Sequence, residues 1–257
     1  ERYGLNKVSE LDFREIRATY YGMVSKIDFH VGKVLEKLKE IGKYENSVIC
    51  FFSDHGDYTG DYGLVEKWPS GMQDCLTKVP LIIKIPGVKP VENIKKQLTQ
   101  TIDIFPTLME MAQIEHNYTH FGKSLIPLIK GQATTHRDAV FAEGGYNSRE
   151  PQCFEDVVTS PEIPLIGVYY DKTNIQQERP ETACRATMIR TEEWKLVLRS
   201  IPDRKEELYN LSEDPQELKN LIDDPQFKDK IKELKDRMVH WYIHTSDNPY
   251  WLHKRYL

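Results

Sequence analysis

The sequence predicts an α/β core with a largely parallel sheet, followed by a small α+β subdomain with an antiparallel sheet. Three observations carry this reading. A long amphipathic segment at 11–41 precedes two short apolar runs without alternation, at 47–52 and 79–85, and a second helical segment follows at 102–113. Helices alternating with strands that are apolar on both faces are the grammar of layered α/β folds. After about residue 131 the periodicity gives way to a loop-rich stretch, then to short strand-like runs and a terminal helical stripe.

Each element has a local reason. Phe13, Ile16, Tyr20, Met23, Ile27, Val31, Val34, Leu38 and Ile41 recur at spacings of three or four and form one apolar helical stripe. Gly42 supplies the stop. Ser47–Phe52 is β-branched and aromatic, and Val79–Ile85 reads the same way between Pro80 and Pro86-Gly87. The helix over Ile102–Gln113 tolerates Pro106 in its first turn. Residues 143–183 carry four prolines and little periodicity. Strands are expected at Thr187–Arg190, Trp194–Leu198 and Glu207–Leu211. Asp214-Pro215 and Asp224-Pro225 both have the form of an N-cap followed by a first-turn proline. The second opens a helix striped by Phe227, Ile231, Leu234, Met238 and Trp241. Two domains are expected, residues 1–131 and residues 132–257.

Composition excludes several function classes. The 257 residues carry a net charge of −5, which argues against a nucleic-acid partner that needs a basic stripe. The longest apolar runs, such as Val48–Phe52, fall far short of the ~20 residues of a bilayer helix. The four cysteines include no C-x-x-C pair and no dense framework, the pattern of a reducing compartment or of a secreted protein that folds without disulfides. Asn117-Tyr118-Thr119 and Asn210-Leu211-Ser212 fit the glycosylation acceptor pattern, which also arises often by chance.

The most informative stretch is Ser53-Asp54-His55-Gly56-Asp57, just beyond the carboxyl end of the strand at 47–52. Ligands of open α/β sheets bind at that rim. A carboxylate and an imidazole on adjacent residues reach one divalent ion only in an irregular turn, which Gly56 helps to make. The local pattern alone leaves two readings open, metal ligation and a polar turn that contains a histidine.

The run continues through Tyr58-Thr59-Gly60-Asp61-Tyr62-Gly63-Leu64-Val65-Glu66-Lys67, and Val79-Pro80-Leu81-Ile82-Ile83 follows. Here the chain resembles the sulfatase family of the alkaline-phosphatase superfamily, whose pattern is S-D-H-G-D/E-x-x-G-D/E-H-G-L-x-x-K and then a V-P-L-I strand. Supporting stretches run in family order: Tyr20-Tyr21-Gly22 to Leu35, Asp103 to Leu108, Gly122-Lys123-Ser124-Leu125, and Arg137 to Glu143. Glu207-Leu208-Tyr209-Asn210-Leu211, Asp214-Pro215, Glu217 and Asn220-Leu221 close the series.

The resemblance implies an alkaline-phosphatase-like mixed or parallel sheet flanked by helices. Asp54 and His55 look like two ligands of the family's calcium, with manganese or zinc as the alternative. Lys67 looks like the lysine that contacts the sulfate, and Trp68 is an aromatic wall beside it or, equally, a packing residue. Tyr62 stands where the family usually has histidine; a phenol donates a hydrogen bond but carries no positive charge near neutrality.

The family's nucleophile is a formylglycine made from C/S-x-P-S/A-R, and none of Cys50, Cys75, Cys153 and Cys184 has proline two residues on. Ser200-Ile201-Pro202-Asp203-Arg204 imitates the pattern far downstream of the family's position and is read as chance. The chain is thus expected to be the C-terminal half of a sulfatase that works with an N-terminal half upstream of Glu1, on a sulfated small molecule or carbohydrate. A phosphonate or phosphate ester hydrolase of the same superfamily, or a non-catalytic binding fragment, is the alternative. His240 and His244 share helical spacing but lack a glutamate base between them, and His116 and His120 read as hydrogen-bonding groups. A cytoplasmic or periplasmic bacterial setting is the leaning on localisation.

Overall fold

The structure, a computed structural model, describes residues 8–89, 97–115, 119–147, 175–176, 178–201 and 205–246. Most of the loop-rich stretch at 143–183, Cys153, His116, Asn117 and the Pro202–Arg204 part of the nucleophile look-alike fall outside them. The chain divides into two compact units that interleave in sequence: Glu1–Gly87 with Glu143–Ala186 and Arg199–Lys205, and Val88–Ala142 with Thr187–Leu198 and Glu206–Leu257.

Helix α1 (Glu10–Glu40) opens the first unit. Its start is a reciprocal cap: Ser9 Oγ accepts from the Asp12 amide at 3.2 Å, and Asp12 Oδ2 accepts from the Ser9 amide at 2.8 Å. Gly42 ends it at φ +67°, with the Lys43 amide donating to the Leu38 carbonyl at 2.8 Å. The expected stripe is present but mostly uncovered among the described residues. Phe13 is buried, whereas Ile27 is 52% and Val34 60% exposed.

Strands β1 (Ile49–Phe52) and β2 (Leu81–Lys84) form a two-stranded sheet. They run antiparallel, with Ile49 opposite Lys84 and Phe52 opposite Leu81, where the sequence reading favours a parallel arrangement. The physical reason lies in the connection. A parallel pair needs a long crossover, usually a full helix. Between these strands the longest α-helix is one turn, α2 (Asp74–Thr77), and the rest is loop. Nor are the strands buried on both faces, since Phe52 and Ile82 are exposed among the described residues.

In the second unit, α3 (Ile104–Ala112) takes Pro106 in its first turn as expected, and α4 (Ile126–Ile129) is a single turn. Strands β3 (Val140–Gly144), β4 (Ala186–Arg190), β5 (Trp194–Arg199) and β6 (Glu207–Asn210) make a sheet in that order. The β5–β6 pair is antiparallel, as expected for this half; β3 carries no strand expectation in the sequence reading. Asp224 caps a 3-10 turn that leads into α5 (Lys228–Ser246). Leu234 and Met238 of α5 pack with Ile189, Leu196 and Leu208 in the sheet's core, and Trp241 stacks on Phe141 at 4.6 Å. Asp214-Pro215 opens only a turn, because Glu217 at φ +56° leaves helical geometry three residues on.

The family-like polar residues of this unit are scaffold. Asp103, fully buried, accepts from the amides of Gln100 (2.9 Å) and Lys123 (2.8 Å), from Arg137 through two donors, and faces His136 Nε2 at 3.1 Å. Asn220 Oδ1 accepts from the amides of Leu208 and Ile222, both at 3.0 Å, and its Nδ2 donates to the Glu206 carbonyl. Lys195 and Glu217 form a buried ion pair. Buried polar groups need such partners, and each residue type here is dictated by the one it faces.

Candidate active site

The turn after β1 organises itself. Ser53 Oγ donates to the His55 carbonyl at 2.8 Å, and the His55 amide donates to Asp54 Oδ1 at 2.9 Å. That amide is the main reason the Asp54 carboxyl titrates below its ordinary range; burial opposes it, and the electrostatic influences of His55 and Lys67, each weaker than burial, also lower it. Asp54 is 82% exposed, and its Oδ2 lies 3.5 Å from His55 Nε2.

His55 Nδ1 sits 2.8 Å from the Gly56 carbonyl. A carbonyl only accepts, so Nδ1 carries a proton, and the tautomer of the neutral ring that this contact selects has its lone pair on Nε2, 3.5 Å from Asp54 Oδ2. Imidazoles that ligate metals are oriented in this way. Gly56 is required here. Its amide donates to the Leu76 carbonyl at 2.8 Å, and a Cβ on it would lie 1.9 Å from the Cys75 carbonyl oxygen.

The next segment folds back on this turn. The Tyr58 amide donates to the Glu66 carbonyl at 3.2 Å and the Gly60 amide to the Leu64 carbonyl at 2.8 Å. The return demands left-handed backbone at Thr59, Gly60, Tyr62, Gly63 and Glu66, three of which are not glycine. Such residues are uncommon and cost about 1–3 kcal/mol each where the surrounding structure imposes them, and they gather at functional sites. Here Tyr58, Leu64, Val65 and Trp68 are buried, and Arg17 of α1 reaches the Thr59 carbonyl and Asp61, each at 3.4 Å. Lys67 is exposed between the buried Val65 and Trp68.

Lys67 is near enough to Asp54 for its charge to add a minor lowering influence on that carboxyl. Trp68 is not an exposed wall: it is 4% exposed and packs with Tyr58, Leu64 and Leu76. Tyr62 is partly exposed, its ring edge-on to Tyr58 at 5.9 Å. His240 and His244 are exposed on α5. Among the described residues Cys50, Cys75 and Cys184 form no disulfide.

Asp54 Oδ2 and His55 Nε2 lie 3.5 Å apart and are a hard oxygen and an imidazole nitrogen, donor types compatible with calcium, manganese or zinc. Among the described residues no group of three or more His, Cys, Asp and Glu is placed to hold a metal. Sequence reasoning missed the supports under the loop. Ser70 Oγ donates to the Thr182 carbonyl at 2.7 Å and Arg199 donates to the Ser70 carbonyl at 2.8 Å. Contacts across 112 and 129 residues leave no local pattern to find.

The family model described as Sulfatase matches residues 4–114, and that of N-sulphoglucosamine sulphohydrolase, C-terminal, matches residues 167–243. N-acetylglucosamine-6-sulfatase of Bos taurus is 31% identical over 207 residues, 74% of this chain and 33% of that protein. The multifunctional alkaline phosphatase superfamily protein PehA of Trinickia caryophylli is 26% identical over 93% of this chain and 43% of its own length. The crystal structure of a phosphonate monoester hydrolase of Agrobacterium radiobacter superposes with a TM-score of 0.70 at 26% identity, over 91% of this chain and 42% of that one. The chain spans less than half the length of each of these relatives. No helix among the described residues is long and apolar enough to cross a membrane.

Proposed function

Because this chain belongs to the sulfatase family of the alkaline-phosphatase superfamily, we propose that it forms part of the active site of a sulfuric ester hydrolase acting on a sulfated small molecule or carbohydrate. The observation that carries the reading is the closed loop in which the Tyr58–Glu66 hydrogen bond joins the Asp54–His55 turn to the segment bearing Lys67. Asp54 Oδ2 and His55 Nε2 would hold a divalent cation, calcium by the family pattern. When bound, such an ion polarises a sulfuryl oxygen and offsets the charge that develops on it.

The chain's own residues supply the rest of the electrostatics. The Nδ1–H donation to Gly56 keeps the His55 lone pair at Nε2, and Gly56 keeps the turn seated on Cys75 and Leu76. Lys67 offers three N–H donors on a compact ammonium to the sulfate oxygens. At about 4 Å and an effective dielectric near 20, such a charge is worth roughly 4 kcal/mol, and it raises turnover only to the extent that the contact tightens in the transition state. In net hydrolysis the ester S–O bond breaks, the oxygen of water becomes the fourth oxygen of sulfate, one proton of that water goes to the departing alcohol and the other to solvent. The attacking formylglycine and its C/S-x-P-S/A-R segment have no counterpart in these residues, and we assign them to an N-terminal part of the same enzyme. The exposed stripe of α1 supports this, as do Phe52 and Ile82 on the two-stranded sheet, since apolar faces of that extent call for a packing partner.

A second reading has its own observation. The similarity to PehA and to the phosphonate monoester hydrolase runs over nine-tenths of the chain, and an imidazole donor suits manganese or zinc better than calcium. The test is Lys67→Ala in the full-length protein, assayed on an aryl sulfate and on a phosphonate monoester with calcium or manganese. A fall of about 100-fold in kcat on the aryl sulfate, with an unchanged melting temperature, supports the first reading. Faster turnover of the phosphonate with manganese favours the second. Unchanged kinetics on both substrates overturn the role of Lys67, and no turnover by the parent protein leaves only a binding fragment.

A further inference from the structure

The backbone immediately after Lys67 is held from three distant places in the chain. Pro69 and Ser70 follow Trp68 in a tight turn closed by the Gly71 amide on the Trp68 carbonyl at 2.9 Å. Ser70 is buried, and its hydroxyl donates to the Thr182 carbonyl at 2.7 Å. Gly144 approaches so closely that a Cβ on it would lie 2.3 Å from the Pro69 carbonyl oxygen. Arg199 completes the clamp, its guanidinium donating to the Ser70 carbonyl at 2.8 Å from a half-buried position.

Fold stability alone gives little reason for a charged fork here. The Ser70 carbonyl could be satisfied by water or a neutral donor, whereas a guanidinium gives a stronger, directional bond. What the turn carries is the root of a lysine with four rotatable bonds. An ammonium on so long a stem meets an anion reproducibly only if its Cα is fixed, and a misplacement of about 1 Å in a reacting array can cost on the order of 100-fold in rate. On one side of Lys67 the root is fixed by the Tyr58–Glu66 bond, and on the other by the Ser70 clamp.

We propose that Arg199 is a positioning residue for Lys67: by gripping the Ser70 carbonyl it sets the backbone from which the ammonium projects. The inference rests on the proposed role of Lys67 and extends it to a residue that touches neither substrate nor cation.

The experiment is a double-mutant cycle in the full-length protein, with Arg199→Ala and Lys67→Ala alone and together, reading kcat and KM on an aryl sulfate at saturating metal. Arg199→Ala is expected to lower kcat about 10-fold with KM changed less than about 3-fold, because a misplaced ammonium weakens the transition-state contact more than ground-state binding. In the Lys67→Ala background the same substitution should change kcat less than about 2-fold, as expected when two residues act through one contact. Equal losses in both backgrounds would mean general loosening of the fold and would overturn the inference while leaving Lys67 its role. A Lys67→Ala protein that keeps the parent rate would instead remove the functional reading beneath it. Should Arg199→Ala fail to fold, Arg199→Lys enters the same cycle. One shorter donor is expected to retain about a third of the parent kcat, again only where Lys67 is present; a loss that persists without Lys67 overturns the proposal.

Discussion

Tyr58 and Glu66 close a ring: the amide of the first donates to the carbonyl of the second at 3.2 Å, and Glu66 makes that bond with φ at +57°. The Asp54–His55 turn and the Lys67 segment are therefore joined through one hydrogen-bonded loop, and Glu66 takes its place in that loop in the left-handed region.

Substitutions at Glu66 should rank by backbone preference. Asparagine tolerates the left-handed region and valine does not, so Glu66→Val should be about 1–2 kcal/mol less stable than Glu66→Asn. Urea unfolding of the two variants is the check, and equal midpoints would show that the loop relaxes without the strained residue.

Gly56→Ala tests the seat of the turn. The added methyl would meet a backbone oxygen at 1.9 Å, which no rotamer change relieves. We expect a loss of about 1–3 kcal/mol in stability, together with weaker metal retention measured by dialysis and elemental analysis. Parent-like retention would mean that the turn bearing Asp54 and His55 is not where the cation sits.

The Asp103 cluster predicts acid sensitivity. Burial alone would raise the Asp103 carboxyl, but Arg137 and the amides of Lys123 and Gln100 outweigh it and hold the group below its ordinary value. Burial, the largest influence on His136, pushes that ring down too, and Asp103 only partly offsets it. Both folded pKa values thus lie below the unfolded ones, so the stability each contributes is present above the unfolded pKa and lost as pH falls through the folded one. Stability should decline below about pH 6.5, where the unfolded chain's His136 begins to take a proton, and again below about pH 4 through Asp103. His136→Gln should flatten the first decline in urea midpoints; an identical slope in both proteins would assign it to other groups. Arg137→Ala, which strands a buried carboxylate, should cost about 3–5 kcal/mol at neutral pH.

Lys195 and Glu217 invite a cycle of their own. Each side chain is essentially inaccessible to water. Removing one partner leaves the other charge buried, so Lys195→Met or Glu217→Leu alone should cost about 3–5 kcal/mol, and the double variant much less than their sum. Additive losses would show that each charge is satisfied by other groups.

Short-range elements were legible because their causes are short-range. The stop at Gly42, the Asp224-Pro225 start and the Leu234–Met238 stripe each rest on residues within a few positions of one another. The order Asp54, His55, Gly56 and Lys67 was legible too, as a resemblance whose spacing the loop's backbone turns explain.

By itself the sequence determined the family likeness, the helix limits and which residue types crowd the end of β1, since all of these are carried by contiguous pattern. Only the tertiary structure decided that β1 and β2 run antiparallel, that Trp68 turns into the core, and that His55 Nδ1 faces the Gly56 carbonyl. It alone joined Asp103 to Arg137 across 34 residues and Ser70 to Arg199 across 129. The reason is common to all of them: each depends on which distant group arrives opposite, and a chain's local pattern fixes what a residue needs without saying which residue will supply it.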